Sequence, residues 1–302
     1  MYFGYKLIYF VYVYMLKYLS KYTENRIIII DLLTLYKGVI YVSKKLIALS
    51  VLVIFVMALG LAGCGQSSKP AEQPKAAVLK VGSDTAFAPF EFQDEKSKEY
   101  VGFDMDLIKA IGKQLGMEVQ VQSMNFDGLI PALEAGNIDA TISAMTITEE
   151  RAKKVNFTKP YYKSGLSMVV KADNNTLQSF KDLEGKSIAV QIGTTGSEEA
   201  KKIKDAKIRE FNTAPEAFME LKAGGVDAVV NDLPVNEYYI AQAGGKDAKI
   251  VGEPLTSEDY GIATSKKSTE LVDKLNTALD ELKKNGEYEK IYVKWFGKKP
   301  PQ

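Results

Sequence analysis

Histidine is absent from all 302 residues, and cysteine occurs once, at position 64. The first absence removes most metal sites, histidine-based general acid–base pairs and Ser-His-Asp triads. The second leaves no pair of thiols for a disulfide or a cysteine-rich zinc site. An enzyme built from this chain would have to use carboxylates or lysine, and no cofactor is implied. Charge of one sign is lacking too. The 39 basic residues meet 38 acidic ones, so nucleic-acid binding gets no support.

Long apolar runs are few, and one of them ends on the single cysteine. Leu46 to Gly63 is 18 residues without a charge, preceded by Lys44 and Lys45. A basic start, an apolar middle and small residues at the end describe a secretory signal better than a spanning helix. The ending Leu61-Ala62-Gly63-Cys64 resembles a bacterial lipobox, which implies that Cys64 is lipidated and becomes the first mature residue. Two or more acyl chains hold a protein firmly to a membrane. Residues 1–41 carry nine of the 17 tyrosines and match nothing else in the chain. Because "VSKKLIALSVLVIFVMALGLAGCG" is complete by itself from Val42, translation is expected to start there, with 1–41 not made. The alternative is an extra membrane segment.

Removing residues 1–63 leaves 239, enough for one large domain or two lobes. Segment 64–77, "CGQSSKPAEQPKAA", reads as a flexible tether behind the lipidated cysteine. Strand and helix signals then alternate. "VLKVGSD" (78–84) reads as a strand. "FDMDLIKAIGKQLG" (103–116) reads as a helix capped by Asp104, with Leu107, Ile108, Ile111 and Leu115 on one face and Gly116 as its stop. "FDGLIPALEAG" reads as a short helix capped by Asp127, and "IDATISAM" as a strand. The alternation predicts an α/β protein with mainly parallel strands. An echo, "LEAGNIDA" (133–140) and "LKAGGVDA" (221–228), matches at five of eight positions and points to two similar lobes. "YYKSGLSMVVK" (161–171) should cross out of the first lobe and "SEDYGIATS" (257–265) should cross back. The C-terminal segment should form two helices, broken at Gly286, that close the first lobe.

Ligands of open α/β sheets sit beyond the C-terminal ends of strands. Those ends carry Asp84-Thr85, Ser143 to Thr146, Gly193 to Gly196, and Asn231-Asp232. "QIGTTGS" offers backbone N–H groups at a helix start, an anion site or a plain tight turn. Arg151 can grip a carboxylate with two parallel hydrogen bonds, or pair with Glu149 or Glu150 at the surface. Asp232 ends an apolar strand, where its charge calls for a cation, either a ligand ammonium or a nearby lysine. Taken together, the three suit a zwitterion, an α-amino acid. Phe87 and Phe126 would sandwich its side chain or belong to the core, and Asp84, Gln191 and Asn231 could read its tip.

The stretches "DTAFAPFEF", "VGFDMDL", "FDGLIPAL", "TITEERAKKVNFTKPYYKSGL", "DLEGKSIAVQIGTTGS", "DYGIA" and "NGEYEKIYVKWFG" resemble the bacterial extracellular polar amino-acid-binding proteins of ABC importers. The likeness runs from about Val78 to Gly297 and is strongest to glutamine binders. It implies a two-lobed, periplasmic-binding-protein-like clamp with two hinge strands: lobe 1 from 78–163 and 262–302, lobe 2 from 164–261. Arg151 should pair with the ligand carboxylate, helped by the backbone at Thr195 and Gly196. Asp232 should pair with the ammonium, with Thr146 and the Ala144 carbonyl as further acceptors. Phe87 and Phe126 should flank the side chain, and Asp84 should meet its polar end. Gln191 and Asn231 depart from the lysine and histidine of glutamine binders, and the Gly-Thr-Thr-Gly turn is closer to the basic amino-acid group. Glutamine is the favoured ligand, with arginine or lysine as the alternative. The implied protein is a monomer held by lipid on the outer face of the cell membrane. It would deliver its ligand to a permease driven by an ATPase. An enzyme of dehydratase type on the same fold is the rival from another class.

Overall fold

The computed structural model describes residues 77–243 and 246–301. The signal segment 42–63, Cys64, nearly all of the tether and residues 1–41 lie outside them.

The chain begins with β1 (Ala77–Ser83) and a small antiparallel meander, β2 (Ala86–Phe87), β3 (Glu91–Gln93) and β4 (Tyr100–Val101). Helix α1 (Phe103–Leu115) follows, then β5 (Met117–Ser123), a 3-10 turn (Phe126–Gly128) leading into α2 (Leu129–Ala135), β6 (Ala140–Thr141), α3 (Glu149–Lys154) and β7 (Val155–Phe157). The first crossing strand is β8 (Tyr162–Ser164). The second lobe holds β9 (Leu166–Lys171), β10 (Ser187–Gln191), α4 (Thr195–Ala200), β11 (Lys207–Phe211), α5 (Ala214–Ala223), β12 (Ala228–Asp232), α6 (Leu233–Ala243) and β13 (Ala248–Val251). The chain returns through β14 (Glu258–Tyr260) to β15 (Ala263–Ser265) and ends in α7 (Thr269–Lys284) and α8 (Glu287–Phe296).

Two five-stranded sheets result, in the orders β5-β1-β6-β15-β7 and β11-β10-β12-β9-β13. β8 and β14 pair antiparallel between them. This is the periplasmic-binding-protein-like clamp of two α/β lobes. The sheets are mixed rather than mainly parallel. Pairs β1–β5, β1–β6, β10–β11 and β10–β12 are parallel, but β15 and β9 run against their neighbours. The reason is connectivity. A βαβ unit returns in the same direction, whereas β9 and β15 arrive straight from a crossing strand and enter each sheet from the other end.

Apolar periodicity set the elements. On α1 the stripe Leu107, Ile108 and Ile111 is fully buried, Leu115 packs at its edge, and Gly116 closes the helix in the left-handed region at φ 67. That stripe shares a core with Leu79, Val81, Phe90 and Phe103, and with Leu275 and Leu279 of α7. A separate core in lobe 2 gathers Met168, Val170, Leu183, Ile188, Val190 and Val230. Asp104 does not cap α1. It lies inside the first turn, fully buried, and accepts from the Ala144 backbone N–H at 2.9 Å and the Tyr161 hydroxyl at 2.7 Å. Asp127 likewise sits within the 3-10 turn and caps nothing.

The echo is a structural repeat. Each copy ends a helix on a left-handed glycine, Gly136 at φ 75 and Gly224 at φ 81. Each then ties its aspartate to the strand beside it. Asp139 donates its N–H to Lys80 O and accepts from Lys80 N, both at 2.8 Å. Asp227 does the same with Ser187, also at 2.8 Å. β6 is shorter than the pattern predicted: it stops at Thr141, and Ala144 takes φ 45, so that 143–146 turn inward as a loop.

The crossings run tightly side by side. Leu255 N–H donates to Leu166 O at 2.8 Å, and a Cβ on Gly165 would stand 2.2 Å from Thr256 O. Gly165→Ala must therefore push the two crossings apart. Overpacking of this kind costs about 1–3 kcal/mol, and thermal unfolding should show a Tm lower by roughly 3–10 °C.

Candidate functional site

The strand ends of both lobes meet around a narrow cavity lined by Phe87, Phe126, Ala144, Thr146, Arg151, Gln191, Thr194, Thr195 and Asp232. Lobe 1 supplies the first five and lobe 2 the rest. A groove lined by Phe126, Asp127, Glu150, Arg151, Gly193 and Glu198 adjoins it.

Arg151 is the third residue of α3, whose start is capped by Thr148: the hydroxyl accepts the Arg151 N–H at 3.1 Å. The cap aims the side chain inward. Its guanidinium donates to Thr146 O at 2.8 Å and Gly193 O at 2.9 Å, so it already touches both lobes. It stands 5.3 Å from the Phe126 ring centre, a cation–π contact that survives burial. The surface pairing with Glu149 or Glu150 is not what forms; burial lowers the guanidinium's proton affinity, and Glu198, Glu258 and Asp232 oppose that.

Facing it is the glycine turn. Gly193 takes φ 76, and Thr194 caps α4 by accepting the Ser197 N–H at 3.2 Å. The first N–H groups of a helix have no partner inside it, so Thr195 and Gly196 present theirs at this turn. Gly196 itself is outside the lining residues, with room for a Cβ only 3.1 Å from Val230 O.

Asp232 closes β12, 7% exposed, and accepts from the Tyr260 hydroxyl. Burial, then the nearby Glu258, push its carboxyl up to about 7; the Tyr260 bond and Arg151 pull the other way. Asn231 does not line the cavity. Side chains alternate along a strand, so placing Asp232 in the cleft turns Asn231 to the other face, and its Nδ2 is buried without a partner. Sequence reading puts Asn231 at the ligand's tip; the structure places it off the cavity lining.

Asp84 lies just behind the lining, 5% exposed. Its backbone N–H donates to Ser143 Oγ at 2.9 Å, and its carboxylate accepts from Gln191 Nε2, which also donates to Asn212 O at 2.9 Å. The Gln191 amide thus covers the acid. Burial, with smaller pushes from Asp127 and Glu216, raises the Asp84 carboxyl to about 6 against the hydrogen bonds from Gln191 and the Ala86 N–H.

Phe87 lines the cavity and also belongs to the lobe 1 core. Sequence reasoning missed Thr194 and, more important, Glu258. On β14 the burial order of Glu258, Asp259 and Tyr260 is in, out, in. Alternation along a crossing strand that carries a buried tyrosine was the signal available for Glu258. Among the described residues no group of three or more His, Cys, Asp or Glu could hold a metal ion, and no helix is long and apolar enough to cross a membrane.

Fold and site define a two-lobed clamp whose cleft carries a buried guanidinium at one end and carboxylates elsewhere. Residues 79–298 match the bacterial extracellular solute-binding proteins, family 3, and the chain belongs to that family. It is 34% identical over 251 residues to the "Arginine-binding extracellular protein ArtP" of Bacillus subtilis (strain 168), covering 82% of this chain and 97% of that one. Among solved structures it is similar to "An ancestral arginine-binding protein bound to glutamine", with 48% identity, TM-score 0.71, and 74% and 100% of the two chains covered. "An ancestral arginine-binding protein bound to arginine" gives 49% identity, TM-score 0.71, and 73% and 99% coverage.

Proposed function

We propose that this chain is the substrate-binding subunit of an amino-acid ABC importer and that it captures an L-amino acid ending in N–H donors, arginine before glutamine. The zwitterion end follows from the cleft. Arg151 and the N–H groups of Thr195 and Gly196 receive the carboxylate; Asp232, the Thr146 hydroxyl and the Ala144 carbonyl receive the ammonium. Phe87 and Phe126 flank the side chain, whose tip displaces the Gln191 amide from Asp84.

The single observation behind the preference is the uncompensated acid. Asp84, Asp232 and Glu258 are all buried around the cleft, with Arg151 as the guanidinium among them. A zwitterion adds no net charge; arginine adds one positive charge, next to Asp84. The sequence alone favours glutamine, because an amide can also give two hydrogens to Asp84. The Gln191 amide gives one to Asp84 here and the other to Asn212 O, and that keeps glutamine as the second reading. Titration with both amino acids across pH separates them.

Capture works by closure. Ligand contacts to both lobes form only when the lobes meet, so ligand favours the closed state. The signal at 42–63, lipidation of Cys64 and the tether 64–77 would hold this clamp above the membrane beside its permease.

The raised Asp232 carboxyl gives a measurable signature. An ammonium needs the ionised form, so binding must expel the proton that Asp232 holds below about pH 7. With glutamine as ligand, binding at pH 7 should release about half a proton, more at lower pH and almost none at pH 9. Calorimetry in buffers of different ionisation enthalpy reads this number directly.

A further inference from the structure

Glu258 reaches the site from neither set of strand ends but from the crossing strand β14. Its Oε2 accepts from Thr146 Oγ1 of lobe 1 at 2.6 Å and from Thr195 Oγ1 of lobe 2 at 2.9 Å. Its Oε1 accepts from Thr256 Oγ1 at 2.9 Å. The residue is 7% exposed, and a carboxylate at that depth must be hydrogen-bonded. The charged and titratable groups around it are Asp232 at the end of β12, Arg151 on α3 and Tyr260 two residues along its own strand.

Two consequences follow from atoms alone. A threonine hydroxyl has one proton and two lone pairs. Thr146 gives its proton to Glu258, so toward the cleft it can only accept, which suits an ammonium. Thr146 and Thr195 also belong to different lobes, so any rotation that opens the cleft breaks at least one of the two bonds to Oε2.

We propose that Glu258 is a positioning residue and an interlobe latch, fixing the Thr146 hydroxyl as an acceptor for the ligand ammonium and holding the closed lobes together through Thr195. This rests on the amino-acid reading above. It adds a residue that touches no ligand yet slows ligand escape. The Glu258 charge also acts on Asp232, raising the pH at which that carboxyl ionises.

The test compares the wild type with Glu258→Gln, Thr195→Val and the double variant. Two readouts are used: stopped-flow off-rates of arginine and glutamine, and protons released on glutamine binding at pH 7. Glu258→Gln should speed release at least about tenfold, the size of a lost hydrogen bond to a charged group. Thr195→Val should speed it about threefold, as for a neutral hydrogen bond. The double variant should be no faster than Glu258→Gln, because both changes remove the same link. Proton release should fall in Glu258→Gln and stay unchanged in Thr195→Val, a split that a packing role would not produce. Off-rates within twofold of wild type, with the same proton release, overturn the proposal. If Glu258→Gln does not fold, an unchanged off-rate in Thr195→Val overturns the latch by itself. A wild-type protein that binds neither amino acid overturns the reading beneath, and the role of Thr146 with it.

Discussion

Arg151→Ala should cost at least a hundredfold in amino-acid affinity. Truncating one partner of a buried, hydrogen-bonded charge pair typically costs about 2–5 kcal/mol, and each 1.4 kcal/mol is tenfold. Two losses combine here. The ligand carboxylate loses its bidentate partner, and so do Thr146 O, 2.8 Å away in the same lobe, and Gly193 O, whose 2.9 Å bond joins the lobes. A cycle separates them. Arginine methyl ester has no carboxylate, so wild type should bind it far more weakly than arginine. In Arg151→Ala the two ligands should become nearly equal. An arginine-to-ester ratio that survives the substitution assigns the carboxylate to another group. Arg151→Lys should recover only part of the loss, since an ammonium cannot supply the planar fork.

Asp84→Asn should reverse the ligand preference. The substitution removes the charge opposite a guanidinium while leaving an oxygen for an amide NH2. Arginine should weaken about a hundredfold and glutamine by only a few-fold. Wild type carries the same information in its pH dependence. Burial places the Asp84 carboxyl at about 6 in the unliganded protein. Below that pH the acid holds a proton that must leave before a guanidinium can pair with it. Arginine affinity should therefore fall as pH drops through 6, by up to about tenfold per unit. Asp232 titrates under both ligands alike, so the ratio of arginine to glutamine affinity isolates Asp84. That ratio should be flat above about pH 7, fall below 6, and lose its pH dependence in Asp84→Asn.

The same raised carboxyls set the stability of the unliganded clamp. Burial first of all holds Asp84, Asp104 and Asp232 at about 6, 6 and 7, above the ordinary aspartate value of 3.8. The unfolded chain gives up these protons more readily than the folded one. Stability from these groups is therefore present below their unfolded values and is lost as pH rises from about 4 through 7. The ligand-free protein should melt higher at pH 5 than at pH 8, and saturating arginine should narrow the gap by supplying cations at pH 8.

What was legible in the sequence was whatever local pattern dictates. The stripe on α1, the two helix–glycine–strand echoes and the polar residues at strand ends follow from periodicity and turn chemistry, and they place Arg151, Thr146, Gln191 and Asp232 around one cavity. What escaped needed tertiary contact. Asp104 looks like a cap because it stands at a helix start, but Ala144 N–H and Tyr161, 40 and 57 residues away, claim its carboxylate. Asn231 looks like a reader of the ligand's tip because it stands at a strand end beside Asp232, yet adjacency on a strand sends the two side chains to opposite faces. Glu258 sits on a crossing segment that carries no strand-end signal. Its role appears only when Thr146 and Thr195, 112 and 63 residues upstream, converge on it. The acidic surroundings of Asp84 were hidden for the same reason, since Asp127 and Glu216 join it only in space.

The most direct test is a calorimetric titration of the protein, freed of carried-over ligand by unfolding and refolding, with arginine and with glutamine at pH 7.5. This account predicts saturable one-to-one binding of both, with arginine at least about tenfold tighter. Tighter binding of glutamine would contradict the role given to the Asp84 charge, and binding of neither would contradict the amino-acid clamp itself.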